Sequence, residues 1–263
     1  FELTDFSGLG NVAQIYGEPC PTTGSNVGYR GGSKKNAAHR VLQSEQIHYE
    51  VADTVDLRML DEAVGQSWIF RCNFKSLNDI DPISGFTRSQ TLVEKFDDAN
   101  NKYFIRVGTD GNVKYGVRRA GNEFKIRTNT APIVAGKDVE IGLTYNVTGD
   151  VIKIYIDGIE ATTTTSSEGF ESSTVNPNLM IGTAVPADKG FCDLNYIDLL
   201  RLYDDKVLTP TQFNNHFRNK FTISNIDEGQ VAICGANVLG ITIIPASFTQ
   251  TSFTDQSFTT LPH

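Results

Sequence analysis

Basic residues are few relative to acidic ones in this chain of 263 residues. There are 23 Lys and Arg against 31 Asp and Glu, which gives a net charge of −8. Nucleic-acid binding needs a concentrated basic surface, so this balance argues against a nucleic-acid partner. No stretch approaches the roughly 20 apolar residues of a membrane-spanning helix, so we expect no membrane span.

Cysteine is also scarce, and the four that occur show no CxxC or Cys/His spacing typical of zinc sites. Cys20 lies between two prolines and is the strongest candidate for a disulfide, whereas Cys72 lies in the middle of a predicted strand and is expected to be buried. Cys192 and Cys234 complete the set, and three pairings are open. The even count and the sequon at Asn146 favour an extracellular, cell-surface or virion-associated setting.

Helix signals are nearly absent, with one exception near residues 209–218. Thr209 is a suitable N-cap, Pro210 follows at the first helical position, and Gln212 completes a capping-box pattern. Phe213 and Phe217 are four residues apart, so we expect both to pack against the body of the domain. The low helix content predicts an all-β class.

Period-2 alternation of apolar residues is abundant instead. The stretch from residue 113 to residue 159 alternates apolar and polar side chains, as strands with one buried face do. Asp157-Gly158 ends one of its strands, and Asp110-Gly111 separates it from the preceding alternation at Tyr103, Ile105 and Val107. Both pairs tolerate the positive φ of a tight hairpin turn. The pattern predicts a two-sheet antiparallel sandwich in which Trp68 lies in the core.

The chain divides into three predicted parts. Residues 1–40 hold strands and a long Gly-rich loop that complete the sandwich, residues 41–228 form the main domain, and residues 229–263 form a β extension and a tail. In the tail Phe248, Phe253 and Phe258 recur every five residues, which matches neither the helix nor the strand period. The tail is either a flexible polar segment or an arm whose phenylalanines dock a partner.

Several motifs occur in the order typical of laminin-G-like, concanavalin A-like domains. They are Tyr49-Glu-Val-Ala-Asp-Thr-Val-Asp-Leu57, Trp68-Ile-Phe-Arg-Cys-Asn-Phe-Lys75, the hairpin Val139–Ala161, Leu179-Met-Ile-Gly182, Tyr196-Ile-Asp-Leu-Leu-Arg-Leu-Tyr203 and Leu208-Thr-Pro-Thr-Gln212. Residues 41–218 thus resemble this superfamily. The resemblance implies an all-β fold, a two-sheet antiparallel jelly-roll sandwich of the concanavalin A type with one short helix near 209–218.

The resemblance leaves the activity open, because this fold hosts unrelated functions. Glucanases of the fold need a Glu-x-Asp-x-Glu strand, which is missing here. Gln46-Ile47-His48 resembles a motif of alginate-lyase-like members. Tyr103-Phe-Ile-Arg106 resembles their Tyr-x-Lys strand only loosely. We expect no enzyme, with a polysaccharide lyase that uses His48 as the alternative.

Relatives of this type often hold Ca²⁺ at the rim of the sandwich, through six to eight oxygen ligands. The loop 97–101 resembles the loop that supplies one such ligand, so Asp97, Asp98, Asn100 and Asn101 are the candidate ligands. The Asp that the family keeps directly before the strand is replaced by Asn101 and Lys102. The alternative is a solvated acidic turn.

Sugar recognition uses aromatic faces and planar polar groups. Tyr115, Arg118 and Tyr155 alternate with charged or small residues on their strands and are predicted to be exposed ligand-binding residues. The leading hypothesis is a non-catalytic recognition module that binds a glycan or a protein. The alternative is a structural subunit of a virion or surface fibre, forming a homo-oligomer or larger assembly through its terminal arms.

Overall fold

The computed structural model describes residues 2–3, 13–16, 27–29, 37–41, 48–54, 57–58, 63–80, 87–170, 176–184, 192–218 and 231–234. These residues form a sandwich of two antiparallel sheets with one short helix, so the predicted jelly-roll class is confirmed. No helix within the described ranges is long and apolar enough to cross a membrane.

Nineteen strands and one helix make up the described chain. In order they are β1 (Glu2–Leu3), β2 (Ala13–Tyr16), β3 (Val27–Tyr29), β4 (Ala37–Val41), β5 (His48–Val51), β6 (Gly65–Phe74), β7 (Asp79–Ile80), β8 (Thr87–Arg88), β9 (Gln90–Asp98), β10 (Asn101–Val107), β11 (Val113–Arg119), β12 (Asn122–Thr128), β13 (Asp138–Asn146), β14 (Val151–Ile156), β15 (Ile159–Glu160), β16 (Thr163–Thr165), β17 (Asn176–Ile181), β18 (Leu194–Tyr203), α1 (Pro210–Arg218) and β19 (Val231–Cys234).

The strands pair into two large sheets and a small one. The nine-stranded sheet has the order β1-β2-β5-β17-β9-β10-β11-β12-β16. The eight-stranded sheet has the order β15-β14-β13-β6-β18-β4-β3, and β19 also pairs with β18. β7 and β8 form a separate two-stranded ribbon.

The core lies between the two large sheets, and β6 is its central strand. β6 pairs with β13 on one side and β18 on the other, so its ten residues are all buried. Trp68 and Cys72 point inward and are fully buried, as predicted. The Trp68 ring centre lies 5.7 Å from that of Tyr103 on the facing sheet, which fixes the spacing of the two layers here.

The two Asp-Gly pairs form the turns that the sequence predicts. Gly111 has φ 75° between β10 and β11, and Asp157 and Gly158 have φ 50° and 78° between β14 and β15. A Cβ atom on Gly158 would lie 2.9 Å from the backbone of Asn214, so the missing side chain also lets the helix approach this turn.

Helix α1 begins as the sequence predicts. The backbone N–H of Thr209 donates to Gln212 Oε1 at 2.8 Å, and the N–H of Gln212 donates to Thr209 Oγ1 at 3.2 Å, which completes the capping box. Phe213 is buried and stacks on Tyr155 with ring centres 4.1 Å apart. It also lies over Gly142, where a Cβ atom would come within 2.5 Å of the ring.

Residues 17–40, which the sequence predicts to be mainly a long loop, include two strands. β3 pairs with β4, and β4 pairs with β18 through Val41 and His39. These additions extend the eight-stranded sheet by long-range pairing, which local Gly content does not reveal. β19 lies in the predicted C-terminal β extension and pairs with the second half of β18.

We predict that Phe213→Ala lowers the free energy of unfolding by about 3 kcal/mol or more, because it empties a fully buried aromatic site between helix and sheet. Urea unfolding measures the change. Asn215→Ala, at an exposed position of the same helix, is the control and should shift stability by less than about 0.5 kcal/mol. Equal effects of both substitutions would show that the helix is not anchored through this ring.

Candidate functional site

Strands β10, β11 and β12 place nine residues on the outer surface of the nine-stranded sheet. Their inward residues, such as Tyr103 and Ile105, belong to the core, so the alternate residues point outward. The strands pair without a register shift, which aligns the outward residues in rows. The three rows are Lys102, Arg118 and Glu123; Phe104, Gly116 and Lys125; and Arg106, Lys114 and Arg127. We call these nine residues the charged face.

The middle row depends on a glycine. A Cβ atom on Gly116 would lie 2.4 Å from the Phe104 ring, so only glycine lets this ring lie flat across the neighbouring strand. Phe104 is fully buried, although it is on the outer surface of the sheet. The ring of Phe170 packs edge-on against it, with centres 5.0 Å apart. Phe170 itself is half-buried.

The segment Ser166–Phe170 lies across the charged face and is tied to it by polar contacts. The Ser166 N–H donates to the carbonyl oxygen of Lys125 at 3.1 Å. Arg106 Nη1 donates to the carbonyl oxygen of Gly169 at 2.8 Å, and Lys114 Nζ lies 2.6 Å from Glu168 Oε2. Burial acts to raise the pKa of Glu168, but the hydrogen bond and charge of Lys114 outweigh it and lower the pKa.

Four carboxylates form ion pairs with five of the six cations of the charged face. Arg106 pairs with Glu94 at 3.0 Å, and both side chains are 1% exposed. The other pairs are Lys114 with Glu168, Arg118 with Glu123, Lys125 with Glu123 at 3.0 Å, and Arg127 with Asp110 at 3.2 Å. Lys102 is the sixth cation, and its ammonium group lies near the rings of Phe96 and Phe170.

Phe170 forms the centre of a group of cations. The ring centre lies 5.2 Å from Lys102 Nζ, 5.2 Å from Arg118 Cζ and 6.0 Å from Lys125 Nζ. Cations attract the face of an aromatic ring at these distances. The Phe170 group therefore combines a half-buried ring with planar and charged polar groups, a combination that can stack on one ligand ring and bind polar substituents around it.

The prediction that Tyr115 and Tyr155 are exposed is wrong. Tyr115 is fully buried, because it faces inward between Ile105 and Ile126 on the neighbouring strands. Tyr155 is 2% exposed, because helix α1 covers it through Phe213. Burial, together with the nearby carboxylate of Glu160, raises the pKa of Tyr155 to about 12.

Arg118 is the predicted ligand-binding residue that the structure places at the site. It lies in the charged face, keeps about a quarter of its side chain exposed and pairs with Glu123. Its Nη1 donates to the carbonyl oxygen of Ala99 at 2.8 Å, which ties the face to the turn 98–101. Its role in ligand binding stays a prediction.

The four predicted calcium ligands do not converge on one point. Asp97 Oδ1 lies 2.5 Å from Lys95 Nζ, and burial raises the pKa of Asp97 although Lys95 opposes this. Asp98 lies at the next position, so it points to the opposite side, and it accepts hydrogen bonds from the N–H groups of Asn100 and Asn101 at 2.6 and 3.0 Å. This geometry matches the alternative prediction for residues 97–101, an acidic turn.

The Asn101 side chain is also engaged, since its Oδ1 accepts from the Ala120 N–H at 3.0 Å. Among the described residues, no group of three or more His, Cys, Asp or Glu could hold a metal ion. Calcium binding at this turn stays a prediction.

His48, the candidate for a lyase, lies on the outer side of β5 beside Glu50, with Nε2 3.5 Å from Oε1. Tyr103, its proposed partner, points into the core and donates its hydroxyl to the carbonyl oxygen of Leu57 at 3.1 Å. Two strands separate β5 from β10, so the strands lie about 14 Å apart. The structure does not bring the two side chains together.

Sequence reasoning missed Phe170 and Lys102 as site residues. Phe170 lies in a Thr/Ser-rich stretch without periodicity, and Lys102 is apparent only as the residue that replaces the family's metal ligand. Its position directly opposite Arg118 on the same sheet face is the signal that could have found it. Phe248, Phe253 and Phe258, the predicted docking residues, lie outside the described residues.

Comparison with known families identifies the class of the protein. The laminin G model described as the concanavalin A-like lectin/glucanases superfamily matches residues 80–213, more than half of the chain. The chain belongs to this superfamily, which confirms the predicted resemblance. No curated protein sequence matches the chain.

Solved structures with the same fold include carbohydrate-active and toxin proteins. Domain 4 of AbnA, a GH43 extracellular arabinanase from Geobacillus stearothermophilus solved with arabinotriose, is 23% identical with a TM-score of 0.52, over 81% of this chain and 92% of that one. The binding domain of botulinum neurotoxin serotype D is 12% identical with a TM-score of 0.50, over 82% and 49%. Both likenesses show the fold.

We predict that Asp98→Asn destabilises the protein by about 1 kcal/mol at pH 7, because the carboxylate anchors the turn beside Arg118. The Asn101 amide and the backbone N–H groups of the turn lower the pKa of Asp98, against the effect of burial. Because the pKa of Asp98 is lower in the folded state, its carboxylate stabilises the fold at pH values above the ordinary pKa of 3.8. This stabilisation is lost as the pH falls through the pKa of the folded state. The difference between wild type and variant should therefore shrink below about pH 4 in urea unfolding. A difference that stays constant down to pH 2 would contradict this assignment.

Proposed function

We propose that this protein is a glycan-recognition module without catalytic chemistry of its own, and that the Phe170 group on the charged face binds the sugar. The observation that carries the proposal is the half-buried ring of Phe170 with Lys102, Arg118 and Lys125 around it. We place the module in an extracellular or surface setting, where polymeric glycans are met.

The chemistry of sugars matches this group. The C–H-rich face of a pyranose or furanose ring stacks on an aromatic ring, and its hydroxyls pair with fixed polar side chains. Phe170 supplies the ring, while Arg118 and Glu123 supply paired donors and acceptors that keep about a quarter of their surface exposed. The contacts of Ser166 and Gly169 with the sheet hold the segment in place, so little ordering is needed on binding.

The fold is compatible with sugar binding but does not by itself assign that function. Domain 4 of the arabinanase has this fold and was solved with arabinotriose. The sheet architecture can therefore carry a sugar site, and the choice of surface in this chain rests on its own residues.

The carboxylates near the Phe170 group favour binding over catalysis. A glycosidase needs a carboxylic acid whose pKa is raised so that it can donate a proton. Here Glu94 pairs with Arg106, Glu123 pairs with two cations, and the pKa of Glu168 is lowered. Carboxylates paired with cations in this way orient those cations and are poorly suited to donate a proton.

The test begins with a glycan array that carries neutral and acidic oligosaccharides, followed by calorimetry with the strongest binder. Phe170→Ala should weaken binding at least tenfold, as removal of a central aromatic residue does at other interfaces. Phe217→Ala is the matched control, because it removes another half-buried phenylalanine on the helix that covers the opposite sheet. Circular dichroism checks that both variants fold. Unchanged affinity in Phe170→Ala, or equal loss in both variants, would refute the proposed site.

A further inference from the structure

Lys102 has an unusual position for a cation. Its residue is 5% exposed, yet in the described part of the chain no carboxylate lies within ion-pair distance of its ammonium group and no acceptor receives a hydrogen bond from it. The other five cations of the charged face each have a carboxylate partner. The ammonium lies between two aromatic rings instead, 4.2 Å from the centre of Phe96 and 5.2 Å from that of Phe170.

Within the described residues, this arrangement leaves the Lys102 charge without a direct ion-pair partner. Contact with the two rings offsets part of the cost of holding the ammonium beside them. Burial lowers the pKa of Lys102, and the charge of Arg118 lowers it further. The more distant carboxylates of Glu94 and Asp98 act in the opposite direction without reversing the shift.

The whole Phe170 group is positive in an acidic protein. Lys102, Arg118 and Lys125 contribute three positive charges, and Glu123 contributes one negative charge, while the chain as a whole carries −8. A ligand that brings an anion to this point would find the Lys102 side chain already held against its two rings, so little reorganisation is needed.

We infer that the glycan bound at the Phe170 group is acidic, with a carboxylate or sulfate that accepts hydrogen bonds from the Lys102 ammonium while its sugar ring stacks on Phe170. This inference rests on the proposed function. Arg118, directly opposite Lys102 on the neighbouring strand, lies where it adds a second positive charge toward the anion.

The experiment compares Lys102→Met with wild type on three probes of equal length: an oligogalacturonate, a sulfated galactose oligomer and a neutral galactose oligomer. Methionine keeps the unbranched apolar stem against Phe96, so folding should be unchanged or slightly more stable. Loss of one charge-assisted hydrogen bond should weaken the acidic probe at least tenfold. Lys102→Arg should restore most of the affinity. Whichever acidic probe wild type prefers identifies the anion as carboxylate or sulfate.

Lys153→Met is the charge control, since Lys153 is exposed on β14 and pairs with Glu160 at 3.0 Å. It removes one positive charge from the other sheet, outside the charged face, and should leave affinity unchanged. Added salt should weaken acidic probes in wild type more than in Lys102→Met.

The outcomes separate the two proposals. Preference for the neutral oligomer, or full affinity for acidic probes in Lys102→Met, would overturn the inference and leave the glycan module standing. Binding to none of the probes and to nothing on the array would overturn both. Equal binding of poly-glutamate, insensitive to Phe170→Ala, would indicate an acidic peptide partner and overturn the inference.

Discussion

The unshifted register of β10, β11 and β12 is the constraint on which both the core and the candidate site depend. Because side chains alternate across a strand, one register places Tyr103 and Tyr115 inside and Lys102 and Arg118 outside. A slip by one residue would exchange these sets and bury cations among the core side chains. The hydrophobic effect that fixes the inner face therefore also fixes the rows of the charged face, without any contact made for that purpose.

The parts of the fold that the sequence predicts well are those set by neighbouring residues. The Asp-Gly turns and the capping box of Thr209 and Gln212 follow from backbone preferences over a few positions. Alternation also marks the strands, but it does not say which of the two faces is inward. Tyr115 and Tyr155 illustrate this, since one lies between the sheets and the other lies beneath a helix that packs on the outside of the opposite sheet.

The Phe170 group could not be predicted by such local reasoning. Phe170 lies in a segment without period, and its position is set by long-range contacts: Arg106 with the Gly169 carbonyl, and Lys114 with Glu168. Each joins residues more than fifty positions apart in the chain. Nothing in the composition of the Thr/Ser-rich stretch indicates that it crosses a sheet. The segment 166–170 finds its hydrogen-bond and ion-pair partners only when β10, β11 and β12 are paired in their observed register.

A comparison of two buried lysines shows why folding alone does not explain Lys102. Lys95, fully buried within β9, lies 2.7 Å from Asp53 and 2.5 Å from Asp97, so its charge is compensated within the protein. Lys102 is almost as buried, and aromatic rings stand where carboxylates would be expected. A residue selected for stability at that position would be apolar or would have an acidic neighbour. The inferred acidic glycan would supply the anion that Lys102 lacks among the described residues, and the half-buried ring of Phe170 beside it would give the sugar a surface on which to stack.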